Sequence, residues 1–278
     1  MHVMNRFLTR ACAAAAAGVA LSMVAVTGAS ASGGGGAPAR PGALGPAGLI
    51  AGHAEALWPA SNTHASGRTA AAVTSNRTFA GYQTGVTAGS ATSSAATFTV
   101  PTLACTTTPV GITAEAGVAA NNFKTASVAG VFTGCANGRA VYFPFLVVNG
   151  AEANYTSTPF SAGDVINLSA NVTTSGVTVQ VTDTTKNVSV TNTITGAGAS
   201  ADAAWIGNNA WVTSAGLLDG VPNFAKLTFS SCLIDGTALQ SWNPLQKFQR
   251  VNRSGVVQIA TGGFWPGGTA FTTHYQHI

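Results

Sequence analysis

The chain has 278 residues, of which 46% are hydrophobic and only 7% charged, with a formal net charge of +4. This is apolar material enough for one large core or two small ones. The charged fraction is far below the usual quarter, so Ser, Thr, Asn and Gly must keep the protein in solution. The few cations form no extended cluster, which excludes a basic surface for nucleic acid, and the composition suits an exported β-protein.

Residues 1–31 read as a secretory signal peptide. Arg6 and Arg10 form the positive region, Ala11 to Val26 the apolar run, and Ala29-Ser30-Ala31 a small-residue cleavage site. A membrane anchor would need about 20 apolar residues; this run is shorter and alanine-rich, and no later segment is apolar enough to span. Residues 32–70 open with Gly33-Gly34-Gly35-Gly36 and continue in Ala, Pro and Gly. Such a stretch buries too little to order itself and is predicted to be a linker or pro-segment. Residues 71–278 are predicted to form a single domain.

Within that domain, short alternating runs of Thr, Val, Ala and Phe are separated by Gly, Asn and Pro. Thr97-Phe98-Thr99-Val100-Pro101 is one strand, and Asp164 to Val172, entered through Gly163, is another. Val177 to Val181, the turn Asp183-Thr184-Thr185-Lys186-Asn187 and Val188 to Ile194 make a β-hairpin with Val177, Val179 and Val181 on one face. Ala225 to Ile234 and Val256 to Ala260 add two more strands, and the alternation of Lys247 to Arg253 reads as the solvated side of a strand. Helical periodicity is missing and turn signals recur about every ten residues, which predicts an all-β sandwich or jelly roll.

Three cysteines follow the leader: Cys105, Cys135 and Cys232. Exported thiols that can pair usually do. The expected disulfide is Cys105–Cys135, closing a loop of about 30 residues and contributing about 3–4 kcal/mol in the chain-entropy model. Cys232, beside Phe229 and Leu233, is then a buried thiol. A catalytic cysteine would want a His partner, and no motif places His53, His64, His274 or His277. No Cys or His pair has metal-ligand spacing, so neither metal nor cofactor is expected.

The order of several short motifs resembles the secreted glutamic peptidases, the eqolisin family, over roughly residues 75–276. Asn76 with Phe79-Ala80-Gly81-Tyr82, Phe98-Thr99-Val100-Pro101, Cys135-Ala136-Asn137-Gly138, Ser161 to Ile166, Asp183-Thr184-Thr185, Val256 to Ile259 and Phe271 to Tyr275 are similar to the family's stretches in the same order. Gly117-Val118 matches a Gly-Ile-Asp-Gly stretch, with Ala119 in the Asp place. Val128-Ala129-Gly130 stands where the family has Gln-x-Gly, and Tyr142 to Val148 where it has an aromatic strand, with Phe145 for Trp and Val147 for Glu. Ala203-Ala204-Trp205-Ile206 resembles the family's Ala-Glu-Trp-Ile, with Ala204 in the Glu place.

The resemblance implies a concanavalin-like antiparallel β-sandwich, of jelly-roll type, with a groove lined by Ala119, Val128, Phe145, Val147, Ala204 and Trp205. It also implies that the catalytic Gln and Glu positions are held by Val128 and Ala204. Acid proteolysis needs a carboxylate to activate water and a fixed donor for the oxyanion; isopropyl and methyl groups supply neither. The expectation is therefore a secreted, non-catalytic protein, its groove either binding an extended peptide or protein or simply filled. For this reading, restoring Val128→Gln with Ala204→Glu is informative, since activity that appears only then marks a peptidase scaffold whose site was lost. One alternative is an acid endopeptidase using displaced carboxylates such as Asp202, Glu115 or Glu152. Another is a carbohydrate-binding module that stacks glycans on Trp242, Trp265 and Tyr275. Sequence leaves the oligomeric state open.

Overall fold

The computed structural model describes residues 73–84, 91–120, 125–158, 160–196, 201–213, 216–217 and 220–276, all within the unit Ala43–Ile278. The predicted leader (1–31) and low-complexity segment (32–70) lie outside the described residues, as do His53, His64 and His277. The strands, in chain order, are β1 (Val73–Asn76), β2 (Phe79–Thr84), β3 (Ser93–Thr99), β4 (Val110–Ala120), β5 (Thr125–Ala136), β6 (Arg139–Val148), β7 (Ala151–Asn154), β8 (Val165–Thr173) and β9 (Gly176–Asp183). They continue as β10 (Val188–Thr195), β11 (Ala203–Ala210), β12 (Val212–Thr213), β13 (Gly216–Leu217), β14 (Lys226–Ile234), β15 (Thr237–Ala238), β16 (Leu245–Val251), β17 (Val257–Phe264) and β18 (Phe271–Tyr275).

One long sheet runs β10-β9-β8-β3-β14-β18-β17-β16-β2-β11-β4-β5-β6-β7. All neighbours on this path are antiparallel; β1 adds a short parallel pairing to β16. The sheet folds back on itself, so that β4, β5 and β6 pack across β8 and β9, and β11 across β3 and β14. The result is the expected β-sandwich. Its core joins Val118, Ala129 and Leu146 of one layer to Phe98, Leu168, Val179 and Phe229 of the other.

The two layers differ in what covers their outer faces. β8 and β9 alternate between inward Ile166, Leu168, Val179 and Val181 and outward Asn, Ser, Gln and Thr, as a half-solvated antiparallel sheet should. β4 and β5 are buried along almost their whole length. A strand buried on both faces needs apolar neighbours on both, and these form a second cluster outside the sandwich core.

Cys105 and Cys135 are disulfide-bonded, with Cα atoms 5.5 Å apart, and tie the approach to β4 to the end of β5. Cys232 is a buried free thiol whose pKa burial pushes upward. One strand departs from expectation. Lys247 to Arg253 was read as a solvated alternation, but within β16 both Phe248 and Arg250 are buried, at 0% and 1% exposure. The reason is that this face of β16 is covered: Phe248 belongs to the second apolar cluster and packs edge-on against Phe79 at 5.8 Å, and Arg250, two residues on, shares its side of the strand. Among the described residues no helix is long and apolar enough to cross a membrane.

Candidate functional site

Directly opposed residues of antiparallel strands share a face, so the register decides what can meet at the site. Trp205 pairs with Gly117, Gly117 with Val128, and Val128 with Val147. Gln83 extends this row at one end and Glu152 at the other. The next row on the same face is Gly81, Gly207, Glu115, Gly130, Phe145 and Asn154. A third contains Phe79, Asn209, Thr113, Phe132 and Phe143.

Of the six positions assigned to the groove, Ala119, Val128, Phe145, Val147 and Trp205 belong to the second apolar cluster. Ala204 does not. It pairs with Val118 and joins the sandwich core with it, while its N–H donates to Thr84 Oγ1 at 2.9 Å. The parity is unambiguous: Trp205 is on the face of Val128, so its neighbour Ala204 must be on the other. A carboxylate at 204 would enter the sandwich core instead of meeting residue 128. Asp202 lies just before β11, its N–H on the Ala119 carbonyl.

Aromatic rings occupy this face. A Cβ added at Gly117 would overlap the Trp205 indole, and one at Gly130 would overlap the Phe145 ring. The glycines let the rings lie down on the sheet, where any side chain would force them away. Trp211 packs edge-on against Phe132 (4.9 Å between centroids), Phe145 (5.8 Å) and Phe143 (5.9 Å), and Phe132 stacks on Phe143 at 4.8 Å. Each such buried ring contributes about 1.5–3 kcal/mol by area.

The face does carry one buried carboxyl group. Glu115, 1% exposed, accepts hydrogen bonds from Thr113 Oγ1 (2.7 Å), Trp205 Nε1 (2.8 Å) and Asn209 Nδ2 (3.3 Å). Burial pushes its pKa above the ordinary carboxylate value; the three hydrogen bonds pull it down, and the Glu152 carboxylate adds a further push upward. The Asn209 N–H in turn donates to Thr113 Oγ1 at 3.2 Å. Of the three carboxylates named as displaced candidates, Glu115 is the one buried on this face, where it shares the parity of Ala119 four residues on along β4. Gln83, on the same face and 3% exposed, leaves its Oε1 without a partner.

The three aromatic residues considered for glycan stacking have different surroundings. Trp242 packs on the core and donates Nε1–H to the Ile234 carbonyl at 3.1 Å. Tyr275 packs edge-on against Phe224 at 6.2 Å. Trp265 is 53% exposed.

No curated protein sequence shows a match. Solved structures do match in fold. Scytalido-glutamic peptidase, solved with a transition state analog inhibitor, superposes with a TM-score of 0.57 at 15% identity, covering 72% of this chain and 98% of that one. SCP-B, described as a member of the eqolisin family of peptidases, gives 0.56 at 13% identity over the same shares, 72% and 98%. Aspergilloglutamic peptidase from Aspergillus niger gives 0.50 at 18% identity, covering 60% and 99%. The sequence itself matches the profile of the Peptidase A4 family over residues 77–260. With two thirds of its length under that profile and the fold of the glutamic peptidases, the chain belongs to the peptidase A4 family.

Proposed function

We propose that this chain is a secreted, non-catalytic member of the peptidase A4 family whose catalytic face has become a second packed core. One observation carries the reading: Ala119, Val128, Phe145, Val147 and Trp205 are none of them more than 5% exposed. Peptide-bond hydrolysis needs a base within reach of water and a donor aimed at the oxyanion. Losing one such donor typically costs about 10²–10³ in rate, and the isopropyl group of Val128 donates nothing. The packing favours a filled face over a peptide-binding groove. Secretion is supported by the leader-like residues 1–31 and by the Cys105–Cys135 disulfide, a bond that persists mainly in oxidising compartments.

A second reading has a specific observation in its favour. Glu115 carries an upward-shifted carboxyl with the side-chain amide of Asn209 at 3.3 Å, which is the chemistry of a general acid beside an oxyanion donor. The two readings separate on incubating the secreted chain with denatured protein between about pH 2 and 6 and sequencing the products. The first expects no cleavage above the buffer control. Cleavage that vanishes in Glu115→Gln would replace it with the second.

A further inference from the structure

The sheet ends on β10, which pairs with β9 through all eight of its residues and has no strand on its other side among the described residues. Its free edge can be assigned atom by atom. Thr195 opposes Gly176, and the next N–H, that of Gly196, donates to the Ser175 carbonyl at 2.9 Å. Hydrogen bonding alternates along an antiparallel strand. The even-numbered residues of β10 therefore turn their N–H and C=O groups to β9, and Ser189, Thr191 and Thr193 turn theirs outward.

Exposed edges are normally blocked by charge, proline, a bulge or shortness. At the other end of the sheet, β7 has four residues and carries Glu152. β10 has none of these devices: its sequence is Val-Ser-Val-Thr-Asn-Thr-Ile-Thr, and its register to β9 is unbroken. The nearest cation, Lys186, is held by Asp164 at 2.6 Å.

We propose that β10 is a self-association edge, pairing antiparallel with β10 of a second copy about a two-fold axis through Thr191. This goes beyond the reading of the catalytic face and does not depend on it. The register follows from the free groups. Centred on Thr191, the pairs Thr191 with Thr191 and Ser189 with Thr193 are those whose outward N–H and C=O groups meet, giving six inter-chain hydrogen bonds. The same register sets Val188 of each copy opposite Ile194 of the other. These two residues are 39% and 37% exposed, and they meet at a non-hydrogen-bonded pair, where side chains approach most closely. A two-fold interface of this kind is closed, so it stops at a dimer.

Sedimentation velocity of the secreted chain over a hundredfold concentration range tests this, with a reversible monomer–dimer equilibrium expected. Thr191→Pro removes an outward donor and leaves the β9 ladder intact, as proline tolerates an edge position; it should raise the dimer Kd at least tenfold. Thr191→Lys, which sets two like charges directly opposite each other on the two-fold axis, should do the same without touching the backbone. Thr191→Cys should cross-link to its own copy under oxidation, because a hydrogen-bonded pair sets Cα atoms about 5.5 Å apart, within disulfide range; Ser189→Cys should not. A monomer at every concentration, a dimer indifferent to both Thr191→Pro and Thr191→Lys, or equal cross-linking at residues 189 and 191 would overturn the proposal.

Discussion

At the scale of single residues, Glu115 is the group with most to report. Its three hydrogen-bond donors suit an ionised carboxylate, yet burial shifts its pKa upward. The folded state therefore holds the proton more tightly than the unfolded chain, whose Glu titrates near about 4.3. Between that value and the raised folded pKa the native state binds more protons, so stability falls as pH rises through the window and levels off above it. In Glu115→Gln, which keeps the shape and an acceptor, that contribution to the pH dependence should vanish. Thermal unfolding of the two proteins at a series of pH values checks this: the variant should gain on the parent as pH rises from 4 to 7. A constant difference would mean that Glu115 has an ordinary pKa. Asp164 works in the opposite sense. Burial opposes its charge, but hydrogen bonds from Lys186 and the Ser161 N–H hold its pKa below the ordinary value, so its contribution is lost as pH falls through that lowered pKa.

At the scale of elements, the strand that matters is β11, and its parity corrects the simplest expectation. Ala204 points into the sandwich core and Trp205 onto the face of Val128. The double change Val128→Gln with Ala204→Glu should therefore yield no peptidase activity. It should also destabilise the protein by several kcal/mol, since a lone carboxyl in an apolar core is uncompensated; urea unfolding reads this, and a stable, active double variant would contradict the register. The β9–β10 hairpin was legible in the sequence because one of its faces is solvated. Val177, Val179 and Val181 alternate with hydroxyl and amide residues, and Asp183 announces the turn by accepting the Thr185 and Lys186 N–H groups at 2.9 and 3.0 Å. β4, β5 and β11 were not legible in this way. Each is buried on both faces, so apolar residues follow one another without alternation and nothing in the pattern says which of Ala204 and Trp205 faces the site. The burial of Arg250 was hidden for the opposite reason: nearby Lys247 and Gln249 are polar, and only the apolar cover over the side it shares with Phe248 makes that side an inner one.

At the scale of the molecule, the family's fold is kept while one of its faces is packed like a core. The chain has few charges, and its outer hydroxyl-rich layer provides the solvated surface, so the β4–β5–β6–β11 layer can be apolar on both sides. Rings resting on Gly117 and Gly130 close that layer over Glu115. A working groove must admit water and substrate to its floor; a packed face must not. The indole N–H of Trp205 lies at this floor, donated to Glu115 at 2.8 Å, and its hydrogen exchange, followed by NMR, reports the difference directly. If the face is a closed core, this proton should exchange only through global unfolding, at the rate of the slowest amides of β4 and β5. Exchange orders of magnitude faster than those amides, under conditions where they stay protected, would mean that the face opens to solvent and would contradict the filled, non-catalytic reading.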